Sequence, residues 1–260
     1  MKTKLLLVAA IVAITGCAKS STGRSQITLF SDSELNKMGA TSFEELKQKE
    51  KISQDATINK YVQCVARSIT KNVSKAAHAG DWEVVVFDSD QVNAFALPGG
   101  KIGVYTGILN VAKGQDQLAA IIGHEVAHVT ERHSNERLSS NQLVQMGAAV
   151  GGAVMAQQEV ENKETWLMVG LGIAQYGVLM PYSRMHESEA DIVGQELMAK
   201  SGFKPSAAIA LWQNMAKQSK GAPPEFLSTH PSNKTRINDL SKHLSKAERV
   251  YQQSTMRPRC

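Results

Sequence analysis

Between residues 56 and 70 the apolar positions Ile58, Tyr61, Val62, Val65 and Ile69 recur three and four apart, the spacing that gives a helix one core-facing stripe. The preceding stretch SDSELNKMGATSFEELKQKE predicts another helix, with Ser31 or Ser33 as its cap. At Asp81 the period shortens. Residues 82–87, 92–97 and 101–106 are short runs rich in β-branched and aromatic side chains, and Pro98-Gly99-Gly100 demands a sharp turn between the last two. They predict a small, mostly antiparallel sheet. Helical spacing returns near Gln115, with Leu118, Ile121, Ile122 and Val129 as the apolar stripe. Two apolar blocks follow at 143–156 and 166–180, separated by charged residues at 159–164. Each is shorter than the roughly 18 residues expected of a membrane span, so they predict buried helices or a membrane-touching hairpin. Further helices are expected at 183–201, at 204–218 with Pro205 in its first turn, and from near Pro231. The pattern is that of an α+β chain, mainly helical.

Composition changes this picture little. The 260 residues are 42% hydrophobic and 20% charged, as in an ordinary globular domain. The formal charge of +5 falls by two if Lys2 and Lys4 are removed with a leader. No basic run interleaved with aromatics suggests nucleic acid.

The N-terminus changes it more. Two lysines precede an apolar run from Leu5 to Ile14, and small residues follow, the layout of a secretory leader. Its end, Ile14-Thr15-Gly16-Cys17, resembles the lipobox of bacterial lipoproteins. That resemblance implies cleavage before Cys17, lipidation of Cys17 and a durable membrane anchor. Ala18 follows, without an Asp to signal inner-membrane retention, so the expected location is the periplasmic face of the outer membrane. The remaining Cys64 and Cys260 would meet an oxidising compartment, where an even pair suggests a disulfide. A free terminal thiol or a bond between chains stays open. The expected organisation is a leader at 1–16, lipidated Cys17 and a flexible tether at 17–30, a peptidase domain at 31–250, and a tail at 251–260.

The stretch GHEVAHVTERH carries the chemistry. His124 and His128 are one helical turn apart and can hold one ion, with Glu125 beside them as a base. A catalytic zinc site usually takes a third protein ligand. His133, five residues past His128, would be rotated by about 140° on a continuing helix. The pattern HExxHxxGxxH would need Gly at position 131 and His at 134, where this chain has Glu131 and Ser134. Further along, SRMHESEADIVG offers Glu187, Glu189 and Asp191, of which Glu187 and Asp191 share a helix face.

The segments NAFALPGGKIGVYTG (93–107), GHEVAHVTERH (123–133), SRMHESEADIVG (183–194) and STHPSNKTRI (228–237) stand in the order of a known group. The chain resembles the gluzincin family of zinc endopeptidases that includes HtpX, the Ste-type CAAX proteases and periplasmic members such as LoiP and BepA. The resemblance implies a zincin-like domain with the HExxH motif on its active-site helix and one Zn2+ per chain. Its ligands would be His124, His128 and Glu187, the Glu four before the Asp. Asp191 would orient His124, leaving His186 and Glu189 without a metal role. Glu125 would be the general base. His230 would lie near the metal, as a latch or a transition-state helper, with Arg236 steadying the substrate or the oxyanion. Asn93, Ala94 and Phe95 would line an exposed strand edge for an extended substrate. The implied substrates are unfolded or misassembled envelope proteins. A chaperone or assembly factor for outer-membrane proteins, with a latched protease site and the assembly machinery as partner, is the alternative. A purely structural zinc module would not need Glu125.

Overall fold

The computed structural model describes residues 17–158, 160–175, 179–218, 226, 230 and 234–260. It divides into two compact units. One comprises the described part of Met1–Ser31 with Arg132–His186, and the other Asp32–Glu131 with Glu187–Cys260.

The larger unit begins with α1 (Asp32–Lys49) and α2 (Ala56–Thr70). Asp55 caps α2 by accepting from the backbone N–H groups of Thr57 and Ile58, a contribution of about 1 kcal/mol. The expected stripe is realised, with Val62, Val65 and Ile69 fully buried. Strands β3 (Glu83–Phe87), β4 (Ala94–Leu97) and β5 (Lys101–Tyr105) form a sheet in the order β3-β5-β4. The hairpin β4–β5 is antiparallel, turned by Gly99 and Gly100 at φ 83° and 72°. β3 runs parallel to β5, with Val85 opposite Gly103, so this sheet is mixed. The six-residue link 88–93 joins β3 to β4, and β4 takes the edge beyond β5. Gly103 has a packing reason: a Cβ there would lie 2.3 Å from the ring of Phe95. Phe95 in turn packs among Phe43, Phe87 and Tyr105.

Helix α3 (Gln115–Thr130) carries the HExxH motif. A one-sided stripe was expected, yet every residue from Gln117 to Ala127 is buried. β4 covers it on one side, and α2 and α7 (Ser206–Gln218) on others. The core joins Leu118, Ile121, Ile122 and Val126 to Ile102 and Val104 of the sheet and to Leu211, Trp212 and Met215 of α7. Helix α8 (Lys234–Gln253) completes the unit by packing on α7. The expected helix start at Pro231 lies outside the described residues. Cys64 and Cys260 are joined by a disulfide. Gln115 accepts from the N–H of Cys260 at 2.8 Å and donates to the carbonyl of Pro258 at 2.9 Å, which docks the last residues at the start of α3.

In the smaller unit β1 (Cys17–Lys19) and β2 (Ser25–Ile27) form an antiparallel hairpin. The stretch 17–30, expected as a flexible tether, makes hydrogen bonds to buried residues of the same unit. Arg24 donates twice to Glu136, at 2.6 and 2.8 Å. The N–H of Leu29 donates to Ser139 Oγ at 2.8 Å, and Asn135 donates to the carbonyl of Phe30 at 2.7 Å. Glu136, Ser139 and Asn135 belong to α4 (His133–Gln157), which is followed by α5 (Lys163–Ala174). No residue of α5 is buried, so the buried-helix alternative for the second apolar block fails. Helix α6 (Met180–Lys200) starts in this unit and continues into the larger one.

Candidate metal centre

Two glycines explain why α3 and α6 come close enough to share a ligand cluster. A Cβ on Gly123 would lie 2.9 Å from the carbonyl oxygen of Gly194, and one on Gly194 would lie 2.8 Å from the backbone of Gly123. Only hydrogens allow this backbone-on-backbone crossing. Gly123 immediately precedes His124, and Gly194 lies three residues after Asp191.

The crossing brings His124, His128 and Glu187 to one point, and His230, from outside both helices, joins them. His124 Nε2 lies 3.1 Å from His128 Nε2 and 3.3 Å from Glu187 Oε2. His128 Nε2 lies 3.4 Å from Glu187 Oε1. His230 Nδ1 lies 3.2 Å from His124 Nε2 and 3.1 Å from both Glu187 oxygens. One donor atom from each of these four residues falls within 4.8 Å of the others. On the far side of the ring, His124 Nδ1 lies 3.0 Å from Asp191 Oδ1, the partner that fixes a ligating imidazole's tautomer. Imidazole nitrogens and a carboxylate converging from separate elements form a donor set that could hold a divalent metal ion.

The electrostatics agree with a cation-binding site. Burial opposes a charge on His124, but Asp191 and Glu187 outweigh it and lift its pKa to about 9. Burial likewise opposes ionisation of Glu187, and hydrogen bonds from His124 and His230 reverse that, holding its carboxyl far below the usual range. For Glu125 burial wins and raises the carboxyl, against the lowering effect of His230 and His124. Its Oε1 is buried and has no hydrogen-bond partner among the described residues, and lies 3.4 Å from His230 Nε2. A proton acceptor kept dry beside the donor cluster is what general-base chemistry needs.

Residues 56–244 match the model of Peptidase family M48. The chain belongs to that family. Among M48 relatives, the mitochondrial metalloendopeptidase OMA1 of Schizosaccharomyces pombe is 37% identical over 169 residues, 64% of this chain and 48% of its own length. The mitochondrial metalloendopeptidase OMA1 of Danio rerio is 33% identical over 259 residues, 94% of this chain and 54% of its own. The β-barrel assembly-enhancing protease of Escherichia coli is 24% identical over 224 residues, 84% of this chain and 45% of its own. The chain spans about half the length of these curated relatives.

Against the M48 frame, the sequence-predicted residues sort clearly. His124, Glu125, His128, Glu187, Asp191 and His230 are brought together. Arg236, expected to steady the substrate or the oxyanion, is buried, donates to Asp191 at 2.6 and 2.7 Å, and lies 2.9 Å from Glu187 Oε2. Its guanidinium also stacks 3.8 Å from the centre of the Trp212 ring. Phe95 directs its side chain into the aromatic cluster, so only its backbone remains for an edge role. His133 is not on the HExxH helix. That helix ends at Thr130, Arg132 adopts a left-handed φ of 56°, and His133 opens α4. The rotation argument, which assumed one continuous helix, therefore does not apply to His133. His133 stacks on His186 at 4.4 Å, and His186 Nε2 lies 2.9 Å from Glu136. Trp212 and Phe226, whose rings wall His124 at 5.9 and 6.4 Å, went unforeseen because they are distant in sequence and carry no motif.

Proposed function

We propose that this M48 chain is a zinc-dependent endopeptidase of the bacterial cell envelope, acting on unfolded or misassembled proteins. The observation that carries the reading is the convergence of His124, His128 and Glu187 beside buried Glu125. Zinc held by these three would supply the positive charge that polarises a peptide carbonyl and acidifies water. Glu125 takes the proton of the attacking water and passes it to the leaving amine, a role suited to a carboxylate with a raised pKa. Asp191 fixes the His124 ring through Nδ1, and Arg236 holds Asp191 and Glu187 in place.

The substrate enters as an added strand. The N–H of Tyr105 bonds to the carbonyl of Asn93, and alternation along an antiparallel pair then turns the backbone groups of Ala94 and Ala96 away from β5. The Ala96 N–H meets Glu125, so the free edge of β4 leads directly to the base. Backbone pairing reads side chains weakly, which suits unfolded chains of varied sequence. The envelope assignment rests on the leader-like segment ending at Cys17 and on the relative named as a β-barrel assembly-enhancing protease.

His230 favours the latched alternative as a resting state. Its Nδ1 faces the donors and its Nε2 faces Glu125, so it occupies the fourth side of the cluster. Removal of metal by a chelator should abolish cleavage of a reduced, unfolded protein, and one equivalent of zinc per chain should restore it. Full activity in the stripped protein would overturn the reading. Faster cleavage by His230→Ala would identify a latch, and loss of cleavage with zinc retained would identify a catalytic helper.

A further inference from the structure

Helices α4 and α5 of the smaller unit form a hairpin whose apolar side chains are turned outward. Val150 is 65% exposed, Trp166 59%, Met168 70% and Ile173 68%. Residues 138–158 and 165–183 contain no charged side chain. Between the two helices lies a cavity of about 340 Å³ lined by Val144, Gly147, Gly151, Trp166, Leu167 and Gly170. A Cβ added at Gly147, Gly151 or Gly170 would meet nothing within 4 Å, so packing within the chain does not account for the small residues. Water-exposed faces of this extent are rare unless something covers them.

The position of the N-terminus indicates what covers this one. Residues 1–16, ahead of β1, contain the apolar run Leu5 to Ile14. If Cys17 carries the acyl chains that its lipobox-like setting implies, a bilayer is brought to Cys17. Cys17 pairs with Ile27, and Leu29 is bonded to Ser139 of α4. From Leu29 back to Cys17 is a path of about 12 Å. From Ser139 forward to Leu143, where the apolar stretch begins, is about 6 Å. The anchoring residue and the apolar hairpin therefore belong to one neighbourhood of one unit.

We propose that the α4–α5 hairpin is a second membrane contact, lying in the interface of a lipid bilayer with acyl chains entering the groove between its helices. The proposal rests on the envelope reading of the proposed function and on the lipid anchor expected at Cys17. No described helix is long and apolar enough to cross a membrane. The hairpin link, with Glu159, Glu161 and Glu164 against Lys163, opposes insertion tip first. An in-plane pose keeps those charges at headgroup level. The same acidic link gives anionic lipids no special attraction, so binding is driven by apolar burial.

The test uses the full-length protein reconstituted with phosphatidylcholine vesicles. Flotation reads attachment, and tryptophan quenching by lipids brominated near the glycerol or near the methyl end reads the hairpin. The difference between wild type and Trp166→Phe isolates the Trp166 signal from Trp82 and Trp212. The expected result is loss of Trp166 emission, stronger with the shallow bromines. It should be abolished in the triple variant Val150→Ser, Met168→Ser, Ile173→Ser, which still floats and cleaves an unfolded protein at the wild-type rate. Floating wild type with unquenched Trp166 would overturn the hairpin contact and leave the anchor intact. A Trp166 shift that follows protein self-association, or appears only with an unfolded polypeptide, would overturn it in favour of a second copy or a substrate. Wild type that does not float would contradict both the attachment and the inference.

Discussion

Replacing Arg236 by Met should cost the larger unit about 3 kcal/mol, because it removes the guanidinium that pairs with two buried carboxylates. Arg236 donates to both oxygens of Asp191, at 2.6 and 2.7 Å, and approaches Glu187 at 2.9 Å. The side chains of Arg236 and Asp191 are each 2% exposed, so solvent cannot replace the lost bonds. Breaking a buried pair from one side typically costs about 3–5 kcal/mol, mostly through the charge left behind. The lower end applies because His124 still faces Asp191 at 3.0 Å. With a urea dependence of about 3 kcal/mol per molar, the unfolding midpoint should fall by about 1 M. Arg236→Lys should recover little, since an ammonium cannot make two parallel bonds to Asp191 or stack on Trp212. The double variant Arg236→Met with Asp191→Asn should be less destabilised than Arg236→Met alone, because the orphaned charge is gone. Urea unfolding followed by circular dichroism, with zinc content measured alongside, reads these effects. A wild-type midpoint and full zinc in Arg236→Met would refute the reasoning.

Two other outcomes follow from the geometry. Gly194→Ala should push α6 from α3, since its new Cβ would sit 2.8 Å from the Gly123 backbone. Overpacking of this kind costs about 1–3 kcal/mol, and reduced zinc content at native circular dichroism would show that the ligands had separated. In the smaller unit burial would raise the Glu136 carboxyl, but hydrogen bonds from His186 and Arg24 hold it down to about 2. A depressed carboxyl contributes stability that is fully present above its unfolded pKa, near 4.5, and is lost as pH falls toward about 2. Wild-type thermal midpoints should therefore drop across that window more steeply than those of Glu136→Gln, and parallel curves would contradict the pairing.

Much of the clustered candidate site was legible because it is written at helical spacing. His124 and His128, and Glu187 and Asp191, are each four apart, so each pair had to share a face once its helix formed. What joins the pairs was not legible. The crossing depends on Gly123 meeting Gly194, and a lone glycine in a helical run carries no sign of its distant neighbour. The acidic partners of Arg236 were hidden for a related reason. A cation near a catalytic motif suggests substrate contact, and only the packing of α8 reveals that two acidic residues of α6 absorb it. The turn at Arg132 was hidden too, since His133 continues the apparent helix in composition and only backbone dihedrals break it. The residues ahead of Ser31 read as linker because they are short and polar, yet Arg24 has the buried Glu136 as its partner 112 positions away. The hairpin at β4–β5 was plain from Pro98-Gly99-Gly100, whereas the parallel pairing of β3 has no local signature.

The central claim is that Glu125 is the base of a metal-dependent endopeptidase. Cleavage of an unfolded protein should be measured for wild type and Glu125→Gln prepared with equal zinc content. The substitution keeps the size and the hydrogen-bonding reach of the side chain while removing its basicity. The account predicts that Glu125→Gln retains one zinc per chain and loses cleavage by roughly a hundredfold or more. Equal rates in the two proteins would contradict it.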